Sequence, residues 1–521
     1  MRPNPRATLP LALLVALTAC IATDPTPSAP APDESERAPT PTLTPTSTPT
    51  PEPTPIPEVE VPLADVTGYT NAKASITEAE VEAARSADTI IQACELFTAI
   101  NPVPRCLNAA DIVAHLEANP SDIGLLPAGL VVPTVKVLPV DGADLFGDAE
   151  ARGMPYPFSV TVFGGEDEWP GWFFDPAEIR TLMSLGDSCP DRGVAFAAIT
   201  QGRGWDWVFG GGTAAYTAVY PNPVPEGFVG NGFNIVEAVP TGNEGAVAEL
   251  VSGADITVDD FECPVVADFT VNDGVVFSID PAVLPRLRDT YGVDVATLAA
   301  NHLFDRGTDG FLETLQQFED AGVPTTGAGP DLEAALEPAF VEVNGMTFGF
   351  VAFNEIPGSL EAGPGQPGVL WLRDVNVSEA VSRARAEADL VFCVPQWWGG
   401  GEYHAQFLGD MRRQQAFFFE AGCDHVIGHG THWSGPIEIS PAEDGFHVTM
   451  VSHGNFLFGQ EWSQQTQEGV TLELAFHGTR LVQARMHPYV MLEQAQTNLT
   501  DPETDGTYVL NRIYEASGLL P

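Results

Sequence analysis

The stretch that most restricts the fold is "DVATLAANHLFDRGTDGFLETLQQFEDAGV", residues 294–323. An apolar run from Val295 to Ala300 reaches Asn301 and His302. It then crosses a Gly-punctuated acidic loop, Asp305 to Gly310, and continues with Phe311, Leu312, Leu315 and Phe318 at helical spacing. A short buried-looking run, a turn and an amphipathic helix make up the α/β repeat. In open α/β sheets, ligands bind outside the carboxyl ends of the strands, so polar residues there stand where chemistry is placed. One such pair is equally an ordinary loop end, and the informative question is whether other strands finish the same way.

They do. Asp187 follows "MSLG", Asp260 and Glu262 follow "ADITV", and Gln396 follows "LVFCVP". His429 and His432 follow "HVIG", while His453 and Asn455 follow "VTMVS". Of only 10 histidines in the chain, His302, His429, His432 and His453 sit at such ends. Carboxylates and imidazoles arriving from separate strand ends are a divalent-metal ligand set, suited to Mn, Zn or Fe. The other six histidines read as surface or core residues, with His404 a reserve candidate.

The 521 residues exceed one hydrophobic core and predict several segments. Residues 1–20 read as a lipoprotein signal: Arg2 and Arg6, an apolar run from Leu9 to Leu17, and small residues before Cys20, which cleavage would leave as the lipidated first residue. Residues 21–60 form a Pro/Thr-rich linker whose composition cannot bury a core and reads as a disordered stalk. Residues 64–176 read as a small α/β accessory domain with helical patterns near 77–99 and 108–118; they resemble part of a type II periplasmic solute-binding domain. From 180 to 495, strands and helices alternate, and 496–521 is set apart as a C-terminal tail. No later run is long enough to span a bilayer.

The formal net charge of -49 excludes nucleic acid as a partner, because such a chain is repelled by phosphate. With Cys20 lipidated, six cysteines remain for an oxidising compartment, and six allow fifteen pairings. Cys94 with Cys106, Cys189 with Cys263, and Cys393 with Cys423 are the natural pairs by position; unpaired buried thiols are the alternative.

Five segments in order, "GDSCPDRGV", "ADITVDDFECP", "LAANHLFDRGTDG", "VIGHGTHW" and "SHGNFLFG", resemble the CapA family of poly-γ-glutamate capsule biosynthesis. The resemblance covers about 180–480. It implies a calcineurin-like metallophosphoesterase fold, a four-layer αββα sandwich. Carried over position by position, it implies metal ligands Asp187, Glu262, His302, His429 and His432, with Asn301 and Asn455 beside them. His429, His453, Arg192 and Asn301 take catalytic roles. Four positions depart from the family pattern: Asp260 and Ala300 replace Asn, Thr431 replaces Pro, and Gln396 replaces His. Gln is a poor ligand for a borderline metal, so one ligand is lost unless Glu402 or His404 substitutes.

The N-terminal signal ending at Cys20 predicts an extracytoplasmic protein, lipid-anchored to the cell membrane. Its expected partners are an anionic polymer or phosphoester substrate and a capsule synthesis or export complex, and its expected chemistry is metal-dependent hydrolysis or transfer. The competing expectation is a non-catalytic polymer-binding or export scaffold with a degenerate metal site. Arg192 is read either as the partner of a substrate anion or as one half of a structural ion pair. Trp397 and Trp398 are read as core or as a wall of the site.

Overall fold

Strand phase decides which side chains meet. In a strand, alternate residues face opposite sides of the sheet. In the Ile179–Cys189 strand, Leu182 enters a core shared with Phe348, Phe350, Phe392, Ile427 and Met450, while Met183 and Leu185 enter a second core with Phe311, Phe318 and Leu287. The first core lies between two sheets. The second lies under the helices Ala246–Gly253, Leu284–Asp289 and Gly307–Ala321. A third core packs the far face of the other sheet against Asp374–Arg385 and Met411–Ala421. The layers therefore run helix, sheet, sheet, helix, which is the four-layer sandwich expected.

The computed structural model describes residues 56–97, 105–221, 233–271, 274–443 and 445–520. The signal segment, Cys20 and most of the Pro/Thr-rich linker lie outside the described residues. One sheet has ten strands. Its parallel part orders Thr325–Thr326, Val295–Thr297, Ile256–Phe261 and Ile179–Cys189, with Asn455–Phe458 also parallel to the last. The long antiparallel strands Glu468–His477 and Arg480–Leu492 continue it. In the six-stranded sheet, Met346–Asn354, Leu390–Gln396, His425–Ile427 and Gly445–Met450 are parallel, with antiparallel edges.

Residues 64–176 carry a separate six-stranded sheet, which begins in Glu58–Gly68. The helix expected over 77–99 stops at Ser86. Asp88 takes a left-handed turn, φ 59°, and the β-branched Ile91 opens a short strand, Ile91–Ala93. This sheet is joined to the central strands. The buried Arg485 pairs with Asp144 at 2.8 Å and Glu473 at 3.3 Å, and Arg480 donates to the Gly129 and Val131 carbonyls at 3.0 Å. The segment set apart as a tail is ordered into the fold: Gln496–Thr500 pairs with Arg480–Leu492, and Val509, Leu510 and Ile513 of Thr507–Ala516 join the inter-sheet core. Its apolar residues fall at helical spacing, so burial holds it.

The inter-sheet core also contains a pH-sensitive group. His425 is fully buried beside Phe392 and Phe476, and its Nδ1 accepts the Val448 N–H. Burial, then the nearby His447 and Arg385, pushes its pKa down to about 3. The native state keeps the ring neutral while the unfolded chain protonates near 6.5, so stability falls as pH drops from 6.5 towards 3. At pH 5 the loss from this group is about 2 kcal/mol. His425→Asn keeps an acceptor for Val448 without titrating. Denaturant unfolding at pH 7 and pH 5 should show the wild type losing about 2 kcal/mol more than the variant, and equal losses would exclude His425 as the cause.

Candidate metal centre

By simple alternation, Asp187 shares the phase of Met183 and Leu185 and would point under the helices. It does not, because the register slips: Ser184 pairs with Val258, but Asp187 pairs with Asp260. The extra residue around Leu185 and Gly186 is a bulge, and it re-aims Asp187 to the inter-sheet side. Gly186 is required there. A Cβ would lie 2.2 Å from the Gly454 carbonyl oxygen, which accepts the Asp187 N–H at 2.9 Å. In Ile256–Phe261, the even positions Ile256 and Val258 face the inter-sheet core, so Asp260, and Glu262 just beyond, emerge on that side. Ile427 shares its phase with His429, and Phe392 shares its phase with Gln396.

Two overlapping groups result: Asp187, Glu262 and His432, and Asp187, Asp260 and His429. Within each, the ligand-capable atoms lie within 4.8 Å of one another, and every member is buried. His429 Nδ1 lies 3.2 Å from Asp187 Oδ1 and 4.0 Å from Asp260 Oδ2, while His432 Nδ1 lies 3.1 Å from Asp187 Oδ2 and 2.9 Å from Asn455 Oδ1. Asn455 is itself fixed, donating to Gln460 Oε1 and the Thr466 carbonyl. The Cys189–Cys263 disulfide ties the Asp187 and Glu262 strand ends together, and Cys94–Cys106 and Cys393–Cys423 are also bonded.

The electrostatics are those of carboxylates forced together out of water. Burial alone would raise Asp187, but hydrogen bonds from His429 and His432 outweigh it and hold the carboxyl far below its ordinary range. Burial raises Asp260 to about 6 and drives Glu262 well upward. Burial opposes the charge on His432, yet Glu262 and Asp187 lift it to about 9; His429 is raised against burial by Asp260 and Asp187. Asp260 Oδ2 and Glu262 Oε1 are buried without a hydrogen-bond partner among the described residues. Oxygen and imidazole donors with unsatisfied lone pairs fit a divalent cation, and Asp187, common to both groups, could serve two cations.

The remaining candidates take distinct places. His302 is in neither group. It lies in the turn that follows Val295–Thr297; its Nδ1 lies 3.0 Å from Asp305 Oδ2, and its ring stands edge-on to Phe277. The Asn301 N–H donates to Gln396 Oε1 at 3.1 Å, while its own Oδ1 is buried without a partner among the described residues. His453 stacks on His429 at 4.9 Å, and its Nε2 also lacks a partner among the described residues; burial and then His429 push its pKa well down. The Arg192 guanidinium makes no ion pair among the described residues. Its Nε donates to the Gly274 carbonyl, and it lies over Phe277 at 4.6 Å. Glu402 is one of the charges that raise Glu262, and the adjacent Tyr403 N–H donates to the Thr431 carbonyl. Trp397 is fully buried against Phe407 and Phe418, a core residue.

The family pattern leaves Asp260 out of the ligand set, although its period-two relation to Glu262 marks it in the sequence. Tyr403 has no such signal. Arg192, Tyr403 and His432 all adopt left-handed backbone, φ 46°, 62° and 60°, a conformation that costs non-glycine residues roughly 1–3 kcal/mol and concentrates at functional sites.

The family described as bacterial capsule synthesis protein PGA_cap matches residues 181–460, which include every residue of both groups. The PGA biosynthesis protein CapA of Bacillus subtilis is 31% identical over 173 residues, 33% of this chain and 44% of that protein. The capsule biosynthesis protein CapA of Bacillus anthracis is 27% identical over 256 residues, 45% of this chain and 58% of that one. A probable polyglutamine synthesis accessory protein of Mycobacterium tuberculosis is 31% identical over 214 residues, 38% and 55%. The chain thus spans about half the length of these curated relatives. Among solved structures, the NAD nucleotidase of Haemophilus influenzae aligns with TM-score 0.33 at 10% identity, over 60% of this chain and 50% of that one. A 5'-nucleotidase precursor of Thermus thermophilus aligns with TM-score 0.33 at 12% identity, over 65% and 58%.

Proposed function

The chain belongs to the family of bacterial capsule synthesis proteins, and from that premise we propose that it is a metal-dependent hydrolase or transferase acting on a capsule-type polymer outside the cytoplasm. The observation that carries the reading is the shared Asp187: two buried three-residue groups of carboxylate and imidazole meet on one carboxylate. Cores do not otherwise collect such charge, because each unpaired buried ion costs several kcal/mol.

Asp187, Asp260, Glu262, His429 and His432 would hold the cation or cations. A divalent cation there supplies Lewis acidity and a water of lowered pKa. The chain's own residues do the rest. The neutral His453, with its unpartnered Nε2, accepts a proton. Arg192 binds an anionic group of the substrate. Asn455 keeps the His432 ring oriented.

A second reading, a non-catalytic scaffold, is favoured by Gln396. Its Oε1 is committed to the Asn301 N–H, so the amide props the loop instead of supplying the family's imidazole. Turnover separates the two. With Mn2+, the enzyme should cleave phosphoesters or γ-glutamyl peptides, and chelation or Asp187→Asn should each remove about a hundredfold or more of the rate. A metal-loaded protein that turns over neither class is a scaffold.

The anchor belongs to the same proposal. If Cys20 carries lipid, Cys20→Ser should move the protein from the membrane fraction to the soluble fraction. Recovery in the membrane at wild-type level would remove the anchor from the account.

A further inference from the structure

Beside the metal centre lies a cleft of about 1040 Å³, lined by Arg192, Phe196, Tyr403, Glu461, Trp462 and Glu493 among others. It adjoins the centre through two rings: Tyr403 stands 5.6 Å from the His432 ring and Phe458 stands 5.1 Å from it. Its volume is at the upper end for a small-molecule site and suits a few polymer units.

The charges in this cleft are unequal in a specific way. Arg192 lies over Phe277, Phe458 and Trp462 at 4.6, 5.7 and 5.8 Å, and its Nη1 is buried with no hydrogen-bond partner among the described residues. The nearest acid in sequence, Asp191, is occupied by the N–H groups of Arg192 itself and Ser278. Arg203, the next cation, is bound to Glu493 at 2.5 Å and stacks on Trp207. Among the described residues Glu461 receives only Gln494, whose Nε2 donates to it at 2.6 Å. Among the same residues the Arg192 guanidinium has no anionic partner, and Glu461, further along the wall, has no cationic one. The rest of the wall is apolar or aromatic.

We propose that this cleft takes a single oxyanionic chain end, a carboxylate or a phosphate monoester, with an uncharged remainder, and that it rejects the interior of a polyanion. The inference deepens the proposed function by naming its substrate class, and it rests on that reading only for the bond cleavage after binding. The guanidinium fork binds one oxyanion bidentately. The body of the ligand lies on Trp462 and Tyr403. A second anionic unit would face Glu461 and be repelled, which is discrimination through an unfavourable contact.

Binding to the full-length chain tests this, with phenyl phosphate and N-benzoylglycine as single-anion probes and poly-γ-glutamate chains of graded length as the polyanion, each with Mn2+ and with chelator. At least one probe should bind, and whichever does identifies the end group. Arg192→Gln should weaken it about ten- to a hundredfold at an unchanged melting temperature, with Arg192→Lys between the two. Poly-γ-glutamate affinity per chain should not rise with length in the wild type, and should rise in Glu461→Gln. Arg192-dependent binding that persists in chelator supports the inference even if the protein proves to hold no metal, which would sink only the hydrolase reading. Neither probe binding, Arg192→Gln binding as wild type, loss of the Arg192 dependence in chelator, or wild-type affinity climbing with chain length would each overturn it.

Discussion

Three carboxylates brought together without water are the constraint around which the rest of this structure is arranged. Asp187, Asp260 and Glu262 are each at most 3% exposed, and they emerge on one side because a bulge turns Asp187 towards the face on which Asp260 and Glu262, at the end of the neighbouring parallel strand, come out. Like charges in such a place are tolerable only with positive charge among them. His429 and His432 supply it, drawn to Asp187 strongly enough to hold that carboxyl ionised while its neighbours are pushed upward. A divalent cation bound among the same donors would displace the protons that Asp260, Glu262 and the two imidazoles otherwise hold.

Several local features then acquire a common cause. The bulge at Leu185 and Gly186 exists where Asp187 must change sides, and only glycine admits the Gly454 carbonyl against it. The Cys189–Cys263 bridge closes a 74-residue separation immediately beyond the two acidic strand ends. In a chain-entropy account a loop of that size is worth about 4 kcal/mol, enough to offset much of the repulsion it confines. The left-handed backbone of His432, Tyr403 and Arg192 is strain held by the packing around the same centre.

Much of this is legible in the chain itself, for physical reasons. Alternation and helical spacing mark the strands and their polar ends, so Asp187, Glu262, His429 and His432 can be named without coordinates. The three cysteine pairs follow from their positions beside neighbouring elements. Alternation carries the reading only as far as the strands reach. His302 lies in the turn beyond Val295–Thr297 and stands beside Phe277 and Asp305, whereas Asp260, within its strand and two before Glu262, belongs to one of the two groups. The surroundings of Arg192 are illegible, because Phe277, Phe458 and Trp462 come from segments far along the chain that only the fold brings together. The last segment looks detached because it comes after the final motif, yet its helix completes the inter-sheet core.

The central claim is that Asp187 is the shared carboxylate of a divalent-cation centre, and metal-dependent stability tests it most directly. A ligand that binds only the native state raises stability with the logarithm of its concentration over Kd. Melting the wild type and Asp187→Asn across a Mn2+ titration, with bound metal counted at each point, should give a wild-type melting temperature that climbs with Mn2+ as metal is taken up. The variant should bind little and stay flat. Identical flat curves, with neither protein carrying metal, would contradict the account.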